Sequence, residues 1–254
     1  MEVVSVIELM ATAGRTSSGG TTSVQFDTKA GPLTIEIQID SNTEPSDASK
    51  ETDGVPIKDA NGGTCMLRSI MINQSREAIL KADIPVSELA GILGIDTQEI
   101  TGTCLPMEIY TIGLNQLIVP ITNRNTLINL KPDLIKLSIL NQKYDIQTNE
   151  IFTLEPINPD SSVYTRSFSP AIGLWEDIAS GSGTGSIAAY LVRHGVFNPG
   201  RIIIDSGSNI DNPARVFIDV GEPIDSKISL RIGGLAVTSI VQSINIEAGK
   251  VTVL

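Results

Sequence analysis

At 254 residues, with 41% hydrophobic and 19% charged side chains, the chain has room for one large domain or two of ordinary size. Its formal net charge of −11 and isoelectric point near 4.5 repel nucleic acid and anionic membrane surfaces, so neither is expected as a partner. No apolar run reaches the roughly 18–20 residues that cross a bilayer, and no basic start, apolar stretch and cleavage site mark a signal peptide.

In chain order, the first stretch, "MEVVSVIELMATAG", is apolar on nearly every face and ends at Gly14, which predicts a buried helix with a glycine cap. "TTSVQFDT" and "PLTIEIQID" alternate as strands and predict a hairpin with Gly31 in the turn. Residues 41–63 are polar and acidic, with scattered Gly and Pro, and read as a mobile surface loop. A strand around "CMLRSIMI" follows, then a short helix, "VSELAGILG", capped by Gly94.

From Thr103 the pattern renews. "LPMEIYTIG" and "NQLIVPIT" predict paired strands around Gly113. "NLKPDLIKLSILNQKY" predicts an amphipathic helix starting near Pro132, with Leu134, Ile135, Leu137 and Leu140 on its buried side. "EIFTLEPI" and "SVYTRSFSP" read as further strands. A second all-apolar helix, "SIAAYLVRH", ends at Gly195, and "RIIIDSG", "ARVFIDV", "KISLRIGG", "AVTSIVQ" and "GKVTVL" read as short strands. Each half thus pairs one all-apolar helix with strand hairpins. We expect two related domains, 1–103 and 104–254, in an α+β fold of two similar antiparallel curved sheets, each wrapped around a central buried helix. Short connections argue for antiparallel pairing and against a doubly wound sheet.

Cys65 and Cys104 lie far apart, without CxxC or His/Cys spacing. They are expected to be reduced packing residues of a cytoplasmic protein, with no metal site. The single histidine, His194, excludes mechanisms that need two. It could complete a Ser-His-Asp set, but a cationic imidazole at a helix end, followed by Gly195 in the left-handed cap position, reads as structural.

The chemistry-bearing stretch is Glu176-Asp177-Ile178-Ala179-Ser180-Gly181-Ser182-Gly183-Thr184-Gly185. A linker is excluded because strand and buried helix flank the run directly. A nucleotide phosphate loop lacks its GxxxxGK[ST] pattern, and no lysine lies between Lys143 and Lys227. An acid/base site would set Asp177 beside a helix N-terminus holding a substrate carboxylate. Gly181, Gly183 and Gly185 would allow close approach, and Ser182 or Thr184 would add a hydroxyl. The bland alternative makes Asp177 or Ser182 a mere helix cap. The sequence carries no cofactor motif.

"TRSFSPAIGLWEDIASGSGTGSIAAYLVRHG" resembles the PhzF-like family of phenazine-biosynthesis isomerases, a branch of the diaminopimelate-epimerase fold. That family carries R-x-F-x-P, then E-D-P-x-T-G-S-A, then a helix ending A-x-Y-L-x-x-H-G. Arg166, Phe168, Pro170, Glu176, Asp177, Gly181, Ser182, Tyr190, Leu191, His194 and Gly195 fall in register. The chain departs from the pattern at Ile178 in place of proline, Ser180 in place of threonine and Gly183 in place of alanine. The extra glycine is expected to loosen the loop.

The resemblance implies a cofactor-independent isomerase or epimerase that moves a proton on a small carboxylate metabolite in a cleft between two domains. Asp177 and Ser182 would be catalytic, and Gly181, Gly183 and Thr184 would bind substrate. Relatives of the proline-racemase type use paired cysteines at helix starts, where this chain has Ser180 and Ser182. The chain also lacks about the first 50–60 residues of the family pattern, whose strands would cover the all-apolar first helix. That segment carries the family's acid/base glutamate and a Gly-His-Ala/Pro motif, and nothing in 1–254 matches either. The expectation is half a cleft, with a homodimer favoured by the exposed helix. The alternative is a catalytically dead carboxylate-binding or structural relative.

Overall fold

The computed structural model describes residues 20–28, 31–41, 55–58, 64–74, 78–224, 228–235, 244–247 and 250–253. The chain divides into two compact units, 1–72 with 234–254, and 73–233. These limits are not those of the expected 1–103 and 104–254 blocks, because residues 78–81 pair with 108–111 and the helices after them pack within the second unit. The first all-apolar helix and the "AVTSIVQ" strand lie outside the described residues.

In the first unit, β1 (Gly20–Thr28) and β2 (Gly31–Ser41) form the expected hairpin in unbroken register from Gly20↔Ile39 to Thr28↔Gly31. Gly31 opens β2 rather than sitting in the turn. β3 (Val55–Lys58) and β2 flank β4 (Thr64–Gln74), both antiparallel to it. β3 lies inside the stretch expected to be only a loop. Ile35, Ile37 and Ile39 alternate onto one face and pack with Cys65, Leu67 and Ile70. β14 (Ile244–Glu247) and β15 (Lys250–Val253) form a separate hairpin.

The second unit is a mixed α+β layer structure. Its strands are β5 (Ala78–Lys81), β6 (Glu108–Ile112), β7 (Leu114–Pro120), β8 (Thr148–Thr153), β9 (Val163–Ser169), β10 (Leu174–Asp177), β11 (Gly200–Ser206), β12 (Ala214–Val220) and β13 (Leu230–Gly234). The order across its sheet is β13-β12-β11-β9-β8-β7-β6-β5, with β10 on β9. The pairing is antiparallel as expected, except that β7–β8 and β9–β11 are parallel. The chain returns between those parallel partners through helices, the long connections that parallel pairing needs.

Period-two alternation sorts the side chains onto two faces. Tyr110, Ile112, Ile118, Phe152 and Val163 face a long helix, α5 (Gly181–Arg193), whose residues Gly183–Val192 are all buried. Their neighbours Ile109, Leu117, Val119, Ile151 and Tyr164 face the other way. There they meet α1 (Val86–Leu93), α2 (Thr97–Thr101), α3 (Arg124–Ile128) and α4 (Leu134–Lys143). The sequence pointed to the sheet on α5 and to α1 and α4 as helices, but not to their place on its back. β8, covered on both sides, is buried at every position.

Gly94 caps α1 in the left-handed conformation as expected, with φ 72°. α4 starts at Leu134, two residues after Pro132, capped by Asp133. Leu137 and Leu140 are buried, but Ile135 is 70% exposed. Two residues apart on a helix means opposite sides, so Ile135 cannot share the stripe of Leu137. Cys65 is buried, Cys104 is exposed and neither is in a disulfide. No helix among the described residues is long and apolar enough to cross a membrane.

Candidate active site

Three neighbouring strands bring the candidate residues into one row. β8 pairs with β9 at Glu150↔Ser167, and β9 pairs with β10 at Ser167↔Asp177. Partners in register share a face, so Glu150, Ser167 and Asp177 lie abreast on the side that carries α5. Two strand spacings separate the outer pair, about 10 Å at the backbone.

The preceding residue goes the other way. Glu176 forms a two-pronged ion pair with Arg166, Nε to Oε1 at 2.7 Å and Nη2 to Oε2 at 2.8 Å. Arg166 Nη1 donates to the carbonyls of Leu127 and Leu130, and its guanidinium stacks on Phe168. Of the two adjacent acids, Glu176 therefore ties β9 and β10 to α3 and the turn after it. Asp177 is half-buried at the entry to α5 and accepts one hydrogen bond, from the Ala179 N–H at 3.3 Å.

Ser180 caps α5. Its hydroxyl accepts the Gly183 N–H at 3.1 Å, and its carbonyl accepts the Thr184 N–H at 2.9 Å. Neither Asp177 nor Ser182 has that duty. The N–H groups of Gly181 and Ser182 have no intrahelical acceptor, as at any helix start, and they sit at the positive end of the helix dipole. Gly181 is exposed and Ser182 half-buried. Thr184 differs from both: it is wholly buried, and its hydroxyl donates to the carbonyls of Ser180 and Gly181.

Gly183 is buried for a reason that the sequence did not show. A Cβ there would fall onto the carboxyl of Glu150. The residue that departs from the family's alanine thus makes room for an acid, rather than loosening a loop. Glu150 is fully buried; its Oε1 accepts the Ser167 hydroxyl at 2.8 Å and the Thr148 hydroxyl at 3.1 Å. Its Oε2 accepts no hydrogen bond among the described residues. Burial pushes its pKa up to about 7; the Ser167, Thr148 and Ser180 hydroxyls oppose the shift, and the charge of Asp177 adds to it. One signal could have flagged it: in "TNEIFT", a charged residue interrupts a strand otherwise fit for burial on both faces.

His194 stands at the far end of α5, about 20 Å from Ser180 by helix rise. It meets Glu108 at 3.0 Å and the Tyr190 ring, and Gly195 follows with φ 68°. It cannot reach Asp177 and takes no part in this site. A separate cavity of about 240 Å³ opens on the back of the sheet, lined by Ile95, Asp96, Glu99, Thr126 and Asn129. Its Glu99 carboxylate already accepts from Thr122, Asn123 and Thr126.

Residues 3–242 match the family model described as phenazine biosynthesis-like protein, PhzC-PhzF. The chain is 33% identical over 92 residues to the uncharacterised isomerase YddE of Escherichia coli, covering 36% of this chain and 30% of that protein. It is 27% identical over 150 residues to an uncharacterised isomerase of Clostridium acetobutylicum, covering 59% of this chain and 46% of that protein. The chain thus matches less than half the length of either relative. A PhzF-family phenazine biosynthesis protein from Bacillus anthracis superposes with a TM-score of 0.68 at 22% identity, over 91% of this chain and 71% of that one. A hydroxyproline epimerase from Agrobacterium vitis, solved with trans-4-hydroxy-L-proline bound, gives 0.55 at 14% identity, over 91% and 62%. Both likenesses establish the fold.

Proposed function

The chain belongs to the phenazine biosynthesis-like protein family, and we propose that it is a cofactor-independent isomerase or epimerase acting on a small carboxylate substrate. One observation carries this reading. Asp177 stands half-buried at the positive start of α5, with Ser180 rather than Asp177 serving as the cap.

The N–H groups of Gly181 and Ser182 would receive the substrate carboxylate, with the Ser182 hydroxyl as a third donor. Holding that carboxylate against a helix start stabilises the extra negative charge that develops when an adjacent C–H loses its proton. Asp177, beside the same end, would take or return that proton. Gly183 and Thr184 would shape the turn rather than touch substrate, since both are buried and the Thr184 hydroxyl is turned inward. Inversion or migration needs a second proton-handling group across the substrate. The family resemblance gives that place to a glutamate with no match in residues 1–254.

The test is exchange of a substrate Cα–H for solvent deuterium, read by NMR over a panel of small carboxylates that includes trans-4-hydroxy-L-proline. Asp177→Asn should lower exchange by roughly a hundredfold or more. Exchange unchanged in that variant sinks the role of Asp177. Carboxylate binding without any exchange would favour a non-catalytic binding protein.

A further inference from the structure

The interface between α5 and its sheet is apolar along most of its length and polar under the first turn. Gln116, Thr148, Glu150 and Ser167 are all buried there, with Gln116 opposite Thr148 and Glu150 opposite Ser167. Glu150 is the ionisable member. Its carboxyl lies directly behind Gly183, and one of its oxygens accepts no hydrogen bond among the described residues.

We propose that Glu150 is a positioning residue of this site: an internal carboxyl that shares the positive start of α5 with the bound carboxylate and, on ionising, weakens the hold on it. The proposal rests on the carboxylate-binding reading above. A helix start offers one concentrated region of positive potential. With Glu150 neutral, all of it acts on the ligand; with Glu150 ionised, a second negative charge sits a turn away in a poorly screened interior.

The surroundings leave the titration to few groups. β7 presents Gln116 and Ile118, β9 presents Ser167, and α5 presents Ser180 and Gly183, all neutral. β10 presents Asp177, while Arg166 and Glu176 point to the opposite face. Glu150 itself titrates at about 7, so both of its forms are populated near neutrality.

The probe is benzoate, ionised throughout the range used, with benzamide as the uncharged control, titrated calorimetrically into the full chain at half-unit steps from pH 6 to pH 8.5. The wild type should bind benzoate about tenfold more weakly at pH 8.5, the size of a screened charge repulsion over several ångströms. Glu150→Gln should bind equally at every step, near the wild-type value at pH 6. Asp177→Asn should keep the pH step and move its midpoint down, because the charge of Asp177 helps hold Glu150 neutral.

Equal pH steps in wild type and Glu150→Gln overturn the role of Glu150 while leaving carboxylate binding intact. No benzoate binding by either protein at any pH overturns the carboxylate reading, and this proposal with it. A measurement on the wild type alone guards against a misfolded variant: the Ser182 amide resonance should titrate near pH 7 without ligand. A flat Ser182 resonance refutes the coupling.

Discussion

The two faces of β8–β10 each hold a carboxyl, half-buried on the back and fully buried on the front, and they treat it in opposite ways. On the back face, Glu176 meets the guanidinium of Arg166 in a planar two-point contact, and the remaining Arg166 donor reaches backbone carbonyls. On the front face, Glu150 meets only hydroxyls, and its nearest charged neighbour is the like charge of Asp177. A carboxylate gripped at two points by arginine works as a strut. One held by hydroxyls beside another acid has two states within reach, which is what proton chemistry needs. Adjacent residues of one strand thus part company, because alternation sends Glu176 backward to the strut and Asp177 forward to the proposed site.

The sharpest way to break this comparison is Arg166→Ala. It strands Glu176 and the carbonyls of Leu127 and Leu130, and should cost about 3–5 kcal/mol in urea unfolding. Glu150→Gln keeps the shape and can still engage both hydroxyls, so it should change stability at pH 6 by under about 1 kcal/mol. A milder effect at Arg166 than at Glu150 would invert the assignment of strut and titrating group.

Next in size is the pH dependence of stability. Glu150 has a folded pKa of about 7, above its ordinary 4.5, so the folded state binds the extra proton between those values. Stability is therefore greatest below 4.5 as far as this group is concerned. It falls as pH rises through 7, by up to about 3 kcal/mol at 1.36 kcal/mol per unit, and then levels off. Asp219 works in the opposite sense and in a lower window: its pKa is held down by Arg201 and Arg231 against the opposing effect of its burial. Its contribution is present above 3.8 and lost as pH falls. Melting curves from pH 5 to 8 should show the Glu150 decline in the wild type and a flat line in Glu150→Gln.

What the sequence disclosed follows from the range of each signal. α5, its glycine cap and the hairpin strands were legible because apolar periodicity and turn residues are local. The Gly/Ser run was legible as a helix start beside an acid, but the identity of the cap was not. Asp177, Ser180 and Ser182 are all competent caps, and the folded backbone gives the first turn to Ser180. Glu150 went unread because its meaning depends on register: 27 residues of chain separate it from Asp177, and only the β8–β9–β10 pairing sets them in line. α1 and α4 were legible as helices, but their place with α2 and α3 on the back of the sheet was not, for a related reason. β8 reads as an ordinary strand, and its burial on both faces becomes visible only when something is found to cover its back.

Gly183→Ala probes the front face directly. The added methyl meets the Glu150 carboxyl, which its hydroxyl partners hold in place, so the cost should be about 1–3 kcal/mol of overpacking. In a Glu150→Ala background the same change has room. A double-mutant cycle should return a coupling of about 1 kcal/mol or more in favour of the pair. Additive effects would mean that Gly183 is required for the turn itself and not for the acid behind it.

The smallest effect separates capping from chemistry at the helix start. Ser180→Ala removes the acceptor for the Gly183 N–H and should cost about 1 kcal/mol, with Ser180→Thr close to the wild type. Asp177→Ala and Ser182→Ala should each lie within about 0.5 kcal/mol of the wild type, since neither side chain closes the first turn. Activity should show the reverse order, with Asp177 and Ser182 variants inactive yet stable and Ser180→Thr active. If Asp177→Ala proved as destabilising as Ser180→Ala, its carboxylate would belong with the strut of Glu176. The front face would then lose its claim to a separate function.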